Sequence, residues 1–303
     1  MITREEIVNR MLHENEDKFF MADKNFEKNF GHMVPSNLFF NIDETSKIIE
    51  KDLSPRPFAH EVDLRSGDTM IKSQDNGRCT AFSGVACIEN MLSRKLGKKN
   101  VNLSESHAWS FYQQYSCDAF LKAIADKRNR IADEEYWPQY KNPTENVNLA
   151  GHATINKYKY LDNDVTKMME ALTAGNVVYL GMKVPSDMLK GKVSISPTSK
   201  MESGGHALAI VGYFQDDKIP GEVIAILKNS WGKDNGDNGY QYLPIAHFAT
   251  RNDCYLVMWE IESVSSSKDN GDITPPPVTK VCTKWKRVWY APWKKECKEY
   301  KIV

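Results

Sequence analysis

The hydrophobic period of this chain changes once, near its middle, and that change limits the folds open to it. From Thr80 to Leu96 apolar and small residues recur at helical spacing, with Gly97 placed to cap the end. A second helix is expected after LSES at 103–106, where Ser104 can cap the first turn, and a third over roughly 118–128. Residues 3–20 also read as helix. Later runs are shorter: VVYLGMKV, HALAIVGYF, VIAILKNSW, YQYLPI and YLVMWEI are apolar or β-branched, separated by turns such as KDNGDNG. A helical first half followed by a mainly antiparallel β half predicts an α+β protein.

Punctuation divides the 303 residues further. Residues 1–57 are polar and end at SPRPF, whose prolines disfavour a continuing helix, so they form an N-terminal extension. The main domain spans 58–262, and 263–279 is a Ser/Pro-containing linker, extended where its prolines run. The tail, 280–303, holds eight Lys or Arg against two Glu, with Trp285, Trp289, Tyr290, Trp293 and Tyr300 among them. It is too short to fold unaided unless Cys282 and Cys297 are joined or it docks elsewhere. Its composition suits binding to a protein surface, a glycan or a cell envelope; a disulfide-closed strand pair packed on the main domain is the alternative.

Forty basic and forty acidic residues cancel, so no global charge draws the chain to nucleic acid. The start, MITREEIVNRMLHENEDKFF, is too charged for a signal peptide, and no run of eighteen apolar residues marks a membrane span. The six cysteines are scattered, without CxxC or zinc-finger spacing, so neither a metal nor another cofactor is expected. Cys79 and Cys87 on one helix lie about 12 Å apart along its axis, too far for a disulfide.

Chemistry gathers at SQDNGRCTAFSG, residues 73–84. Cys79 begins a helix, where unpaired N–H groups and the helix dipole favour a thiolate, and the glycine of the preceding turn leaves room for a carbonyl. A small buried cysteine is the competing reading. A nucleophile needs a base, and His206, after two glycines at the mouth of an apolar strand, is the best placed of the seven histidines. Asn229, ending another strand, has an amide oxygen that can hold an imidazole tautomer, and Trp231 can cover that bond from water. Gln74 and the Cys79 N–H could serve an oxyanion.

QDNGRC, GGHALAIVGY and KNSWG…NGY, in that order, resemble the three signatures of papain-like cysteine peptidases, with the His 127 and the Asn 150 residues beyond the Cys. VDLRSG at 62–67, LSES, EEYWPQY at 134–140, GYQYLP at 239–244 and YLVMWEI fit the same pattern. The resemblance implies a two-lobe fold, a helical left lobe and an antiparallel β-barrel-like right lobe, with the active-site cleft between them. It implies catalytic roles for Cys79, His206, Asn229 and Gln74, shielding by Trp231, a protein or peptide substrate, and endopeptidase action. Residues 1–57 would then be a removable propeptide or a permanent arm.

Departures sharpen the picture. The family's Gln stands six residues before its Cys, not five, and the Cys normally preceding the nucleophile by three, with its disulfide, is missing here. Thr80 and that missing bridge resemble bacterial-type members more than animal lysosomal ones. Asn235 occupies the place of a second Trp, YFQDDKIPGEV makes a longer hairpin, and CDAF lacks the paired glycines of the cleft wall. Asp75 and Arg78 could pair, or Arg78 could meet substrate, but as surface charges they are expected to be solvated. Two other functions fit the same residues: an acyltransferase or deamidase, and a noncatalytic binding or structural protein.

Overall fold

A computed structural model of the chain describes residues 2–13, 34–35, 58–75, 77–97, 101–216, 218, 223–267, 271–273, 281–288 and 291–301. Helix α1, Arg4–His13, opens with a reciprocal capping box: the Thr3 N–H donates to Glu6 Oε2 at 2.7 Å and the Glu6 N–H to Thr3 Oγ1 at 3.2 Å. Its apolar face, Ile7, Val8 and Met11, is buried in the main core. The rest of the helix expected over 3–20 lies outside the described residues. Two residues, Val34–Pro35 (β1), and three, Glu61–Asp63 (β2), then add short strands to the sheet described below.

Helix α2, Cys79–Leu96, runs through the centre of the molecule and is buried on nearly every side. Such a helix can carry polar residues only if each finds a partner. Thr80 Oγ1 meets Tyr112 Oη at 2.8 Å, Ser83 Oγ donates to Ala207 O at 2.6 Å, and Asn90 Nδ2 donates to Leu64 O at 2.9 Å. Gly97 ends it in the left-handed region, φ 61°. Helices α3, Glu105–Ser110, and α4, Cys117–Ala125, complete the helical lobe; Ser104 Oγ accepts from the His107 N–H and Ser116 Oγ from the Ala119 N–H.

The sheet lobe contains β3 (Ala153–Asp162), helix α5 (Val165–Thr173), β4 (Val178–Pro185), helix α6 (Ser186–Leu189), β5 (Met201–Gln215), β6 (Val223–Lys228), β7 (Tyr240–Leu243), helix α7 (Ile245–Thr250), β8 (Leu256–Ser266) and β9 (Gly271–Ile273). The antiparallel order is β3-β8-β4-β5-β6-β7, with β1 and β2 on β5 and β9 on β8. This corrects the barrel-like lobe that the resemblance implied: β3 and β7 end the path and do not pair, so the sheet is open. Each terminal strand meets a loop instead of the other. The Ile131 N–H donates to Ala153 O at 2.8 Å beside β3, and the Tyr242 N–H of β7 to Val193 O at 2.9 Å.

β5 is the spine of the lobe, pairing β4 along its first part and β2 and β6 further on. Its register shifts between Ile210 and Gly212, and a Cβ at Gly212 would lie 2.3 Å from Val62 O, so only glycine lets β2 approach. β8 continues to Ser266, and β9 folds back on it, so strand pairing enters the stretch read as a linker. Val281–Val288 (β10) and Ala291–Lys301 (β11) form a separate antiparallel pair, with Cys282 opposite Tyr300 and Cys297 opposite Trp285.

Candidate active site

The turn before α2 is held from both sides. The Gln74 N–H donates to Ser230 O at 2.7 Å, the Arg78 N–H closes onto Asp75 O at 2.9 Å, and Gly77 adopts φ 73°. Arg78 Nε donates to Asp75 Oδ1 at 2.7 Å and Nη2 bonds Asp75 Oδ2, with Nη1 3.5 Å from Ser106 Oγ. Asp75 is 3% exposed, so these are not the solvated charges expected. Their fork-on-carboxylate pairing closes the turn on itself, and the Ser106 contact reaches α3.

Cys79 emerges from that turn as the first residue of α2, 2% exposed. The backbone N–H groups of Ala207, Thr80 and Cys79 itself favour the thiolate. Burial pushes the thiol up to about 12, with those N–H groups pulling the other way. One residue before Ala207, His206 sits on β5 opposite Met182 of β4. Burial takes its imidazole down to about 4, against the bond to Asn229. Each group taken singly is therefore neutral at pH 7.

His206 Nε2 lies 2.8 Å from Asn229 Oδ1, and the Trp231 indole stacks on the ring with centroids 4.2 Å apart and planes at 21°. Asn229 directly follows β6. Its Nδ2 donates to Gln241 Oε1 at 2.8 Å and reaches Asn235 Oδ1 at 3.3 Å, while its Oδ1 also accepts the Ser230 N–H at 2.7 Å. Gln74 is 4% exposed, and its Oε1 accepts from Ser230 Oγ at 2.6 Å. That bond turns the amide so that Nε2 is the end left to donate. The five residues named from sequence thus converge where α2 meets β5 and the segment after β6.

Sequence reasoning did not find Ser230, Asn235 or Gln241. Gln241 carried a faint signal, as the one amide within the inward-facing run YQYL. Beside the helical lobe, a groove of about 890 Å³ runs along residues 111–116 and α4, lined by Phe111, Gln113, Tyr115, Asp118 and Lys122. Among the described residues no helix is long and apolar enough to cross a membrane, and no group of three or more His, Cys, Asp or Glu comes together as a metal site.

Residues 58–258 match the model of the papain family cysteine proteases. The viral cathepsin of Cydia pomonella granulosis virus is 28% identical over 223 residues, 66% of this chain, and the chain spans 62% of that relative's length. Fruit bromelain of Ananas comosus is 25% identical over 248 residues, 78% of this chain and 69% of its own. In fold, the chain is similar to xylellain, a cysteine protease from Xylella fastidiosa, with a TM-score of 0.57 at 17% identity, covering 77% of this chain and 96% of that one. The sequence relatives named here are viral and plant; the bacterial likeness is one of fold.

Proposed function

The chain belongs to the papain family of cysteine proteases, and from that premise we propose that it cleaves peptide bonds internally through Cys79, His206 and Asn229. The observation that carries the reading is the His206–Asn229 bond of 2.8 Å beneath Trp231, one residue from the Ala207 N–H that favours the Cys79 thiolate. Cys79 Sγ passes its proton to His206 and attacks the carbonyl carbon; the oxyanion takes hydrogen bonds from Gln74 Nε2 and the Cys79 N–H. His206 then returns the proton to the departing amine, and water, deprotonated by the same ring, hydrolyses the thioester. Cleavage of an unfolded protein should vanish in Cys79→Ala; unchanged cleavage would sink the proposal. Product masses separate hydrolysis from deamidation, which adds about one dalton without cutting the chain. Kinship with bacterial-type members is supported by the xylellain likeness.

We further propose residues 58–262 as the catalytic body and 1–57 as an arm of two parts. α1 is supported as a permanent part by its buried Ile7, Val8 and Met11. β1 supports an inhibitory role for the other part, because Val34 pairs with Gly205 and Pro35 with Gly204, immediately before His206. A specific protease site inserted between residues 14 and 33 and another between 36 and 57 should, when cut, raise turnover while α1 stays bound. Equal rates before and after cutting reject the inhibitory role.

A further inference from the structure

We infer that Gln241 sets the tautomer of His206 by locking the amide of Asn229 in one orientation. This rests on the reading of Cys79, His206 and Asn229 as the reacting set, and it adds a positioning residue to that set.

The lock begins at two backbone carbonyls. Gln241 lies on β7 opposite Leu227 of β6 and is fully buried. Its Nε2 donates to Lys192 O at 2.7 Å and Met188 O at 3.3 Å. A carbonyl oxygen only accepts, so the Gln241 amide has one permitted orientation, and its Oε1 must face Asn229 Nδ2, 2.8 Å away. The Ser230 N–H fixes the other end of Asn229 by donating to Oδ1 at 2.7 Å. Turning the Asn229 amide by 180° would set oxygen against Gln241 Oε1 and an NH₂ against the Ser230 N–H, two repulsive contacts with no water to relieve them.

Asn229 must therefore present Oδ1 to His206, and Nε2 of the neutral ring must carry the proton. Nδ1 is then the nitrogen with a free lone pair, the only one able to take a proton from Cys79. A flipped Asn229 would draw the lone pair of Nε2 and leave the proton on Nδ1, where the ring cannot act as base. Asn235 cannot substitute for Gln241. Its Oδ1 reaches Asn229, but its own Nδ2 has no partner, so nothing stops that amide from turning.

The test uses Gln241→Met in the full chain, read by peptide hydrolysis and by ring-nitrogen NMR of ¹⁵N-histidine-labelled protein. The spectra are taken at pH 7 in a Cys79→Ala background, where the ring has no thiol proton to gain. With Gln241 present, His206 is expected in the Nε2–H form. With Met, an Nδ1–H population appears and kcat falls about fivefold to tenfold, the rate equivalent of one lost buried hydrogen bond, with KM within about twofold. A folded Gln241→Met protein with an unchanged tautomer overturns the inference, whatever its kcat. If that variant does not fold, Gln241→Leu in the same Cys79→Ala background is read in its place: an Nδ1–H population supports the lock and an unchanged Nε2–H ring overturns it. Failure of the underlying reading looks different, as full hydrolysis by Cys79→Ala itself.

Discussion

Glu105→Gln should make this protein's stability less sensitive to alkaline pH, by an amount that the buried charges beside the cleft define. Lys72 Nζ lies 2.6 Å from Glu105 Oε1, 3.0 Å from Glu89 Oε1 and 3.0 Å from Leu103 O, so two buried acids share one buried cation. Burial raises Glu105 to about 7; Lys72 pulls it down, and the neighbouring Glu89 adds to the rise. In the unfolded chain the same carboxyl titrates near 4.3. Between those values the unfolded chain releases a proton that the folded state keeps, so stability falls as pH rises through the window. A difference of roughly 2.7 pH units corresponds to about 4 kcal/mol in full, of which about 3 kcal/mol falls above pH 4.5. The substituted amide would not titrate, would keep an oxygen for Lys72, and would leave that cation paired with Glu89. Urea unfolding followed by tryptophan fluorescence, at pH 4.5 and pH 8, measures the effect. On moving to pH 8 the variant should gain about 3 kcal/mol relative to wild type. Parallel behaviour of the two proteins would mean that Glu105 ionises at its ordinary value, and would refute the reasoning.

Arg78→Ala strips both guanidinium bonds from a carboxylate whose side chain is 4% exposed, and should cost about 3 kcal/mol in urea unfolding. Arg78→Lys should recover only part of it, since an ammonium lacks the fork; full recovery would assign the effect to charge alone. Alkylation of Cys79 by iodoacetamide should proceed near neutral pH in the wild type, with His206 taking the proton. In His206→Ala it should rise steadily with pH toward the buried thiol's value of about 12, and a rate indifferent to His206 would break the proposed pair. Gly212→Ala forces a methyl group against Val62 O at 2.3 Å and should lower stability by about 1–3 kcal/mol, seen as a lower melting temperature; an unchanged melt would show that β2 can move away.

Much of this fold is written locally. α2 was legible because its period, its entry turn and Gly97 agree, and α3 because Ser104 of the LSES motif caps an N–H only three residues further on. β3 and α5 escaped notice. ATINKYKYLD alternates poorly: its exposed positions are Lys157 and Asp162, Lys159 is half-buried, and its register shifts more than once against β8. The candidate residues could be named from three short motifs, yet the motifs carry no information on what stands behind them.

The sequence by itself determined a mainly helical first half and a mainly β second half, the cap at Ser104, and the chemical identities of Cys79, His206, Asn229, Gln74 and Trp231. Those features depend on spacing along the chain, which the sequence contains in full. Tertiary structure decided that the sheet stays open, with loops near residues 131 and 193 meeting its two end strands. It also decided that Asp75 and Arg78 pair out of water, and that carbonyls at 188 and 192 reach Asn229 through Gln241. Burial and hydrogen-bond direction arise between residues far apart in sequence, so the orientation of one amide is settled only when β6, β7 and the loop after α6 are packed together.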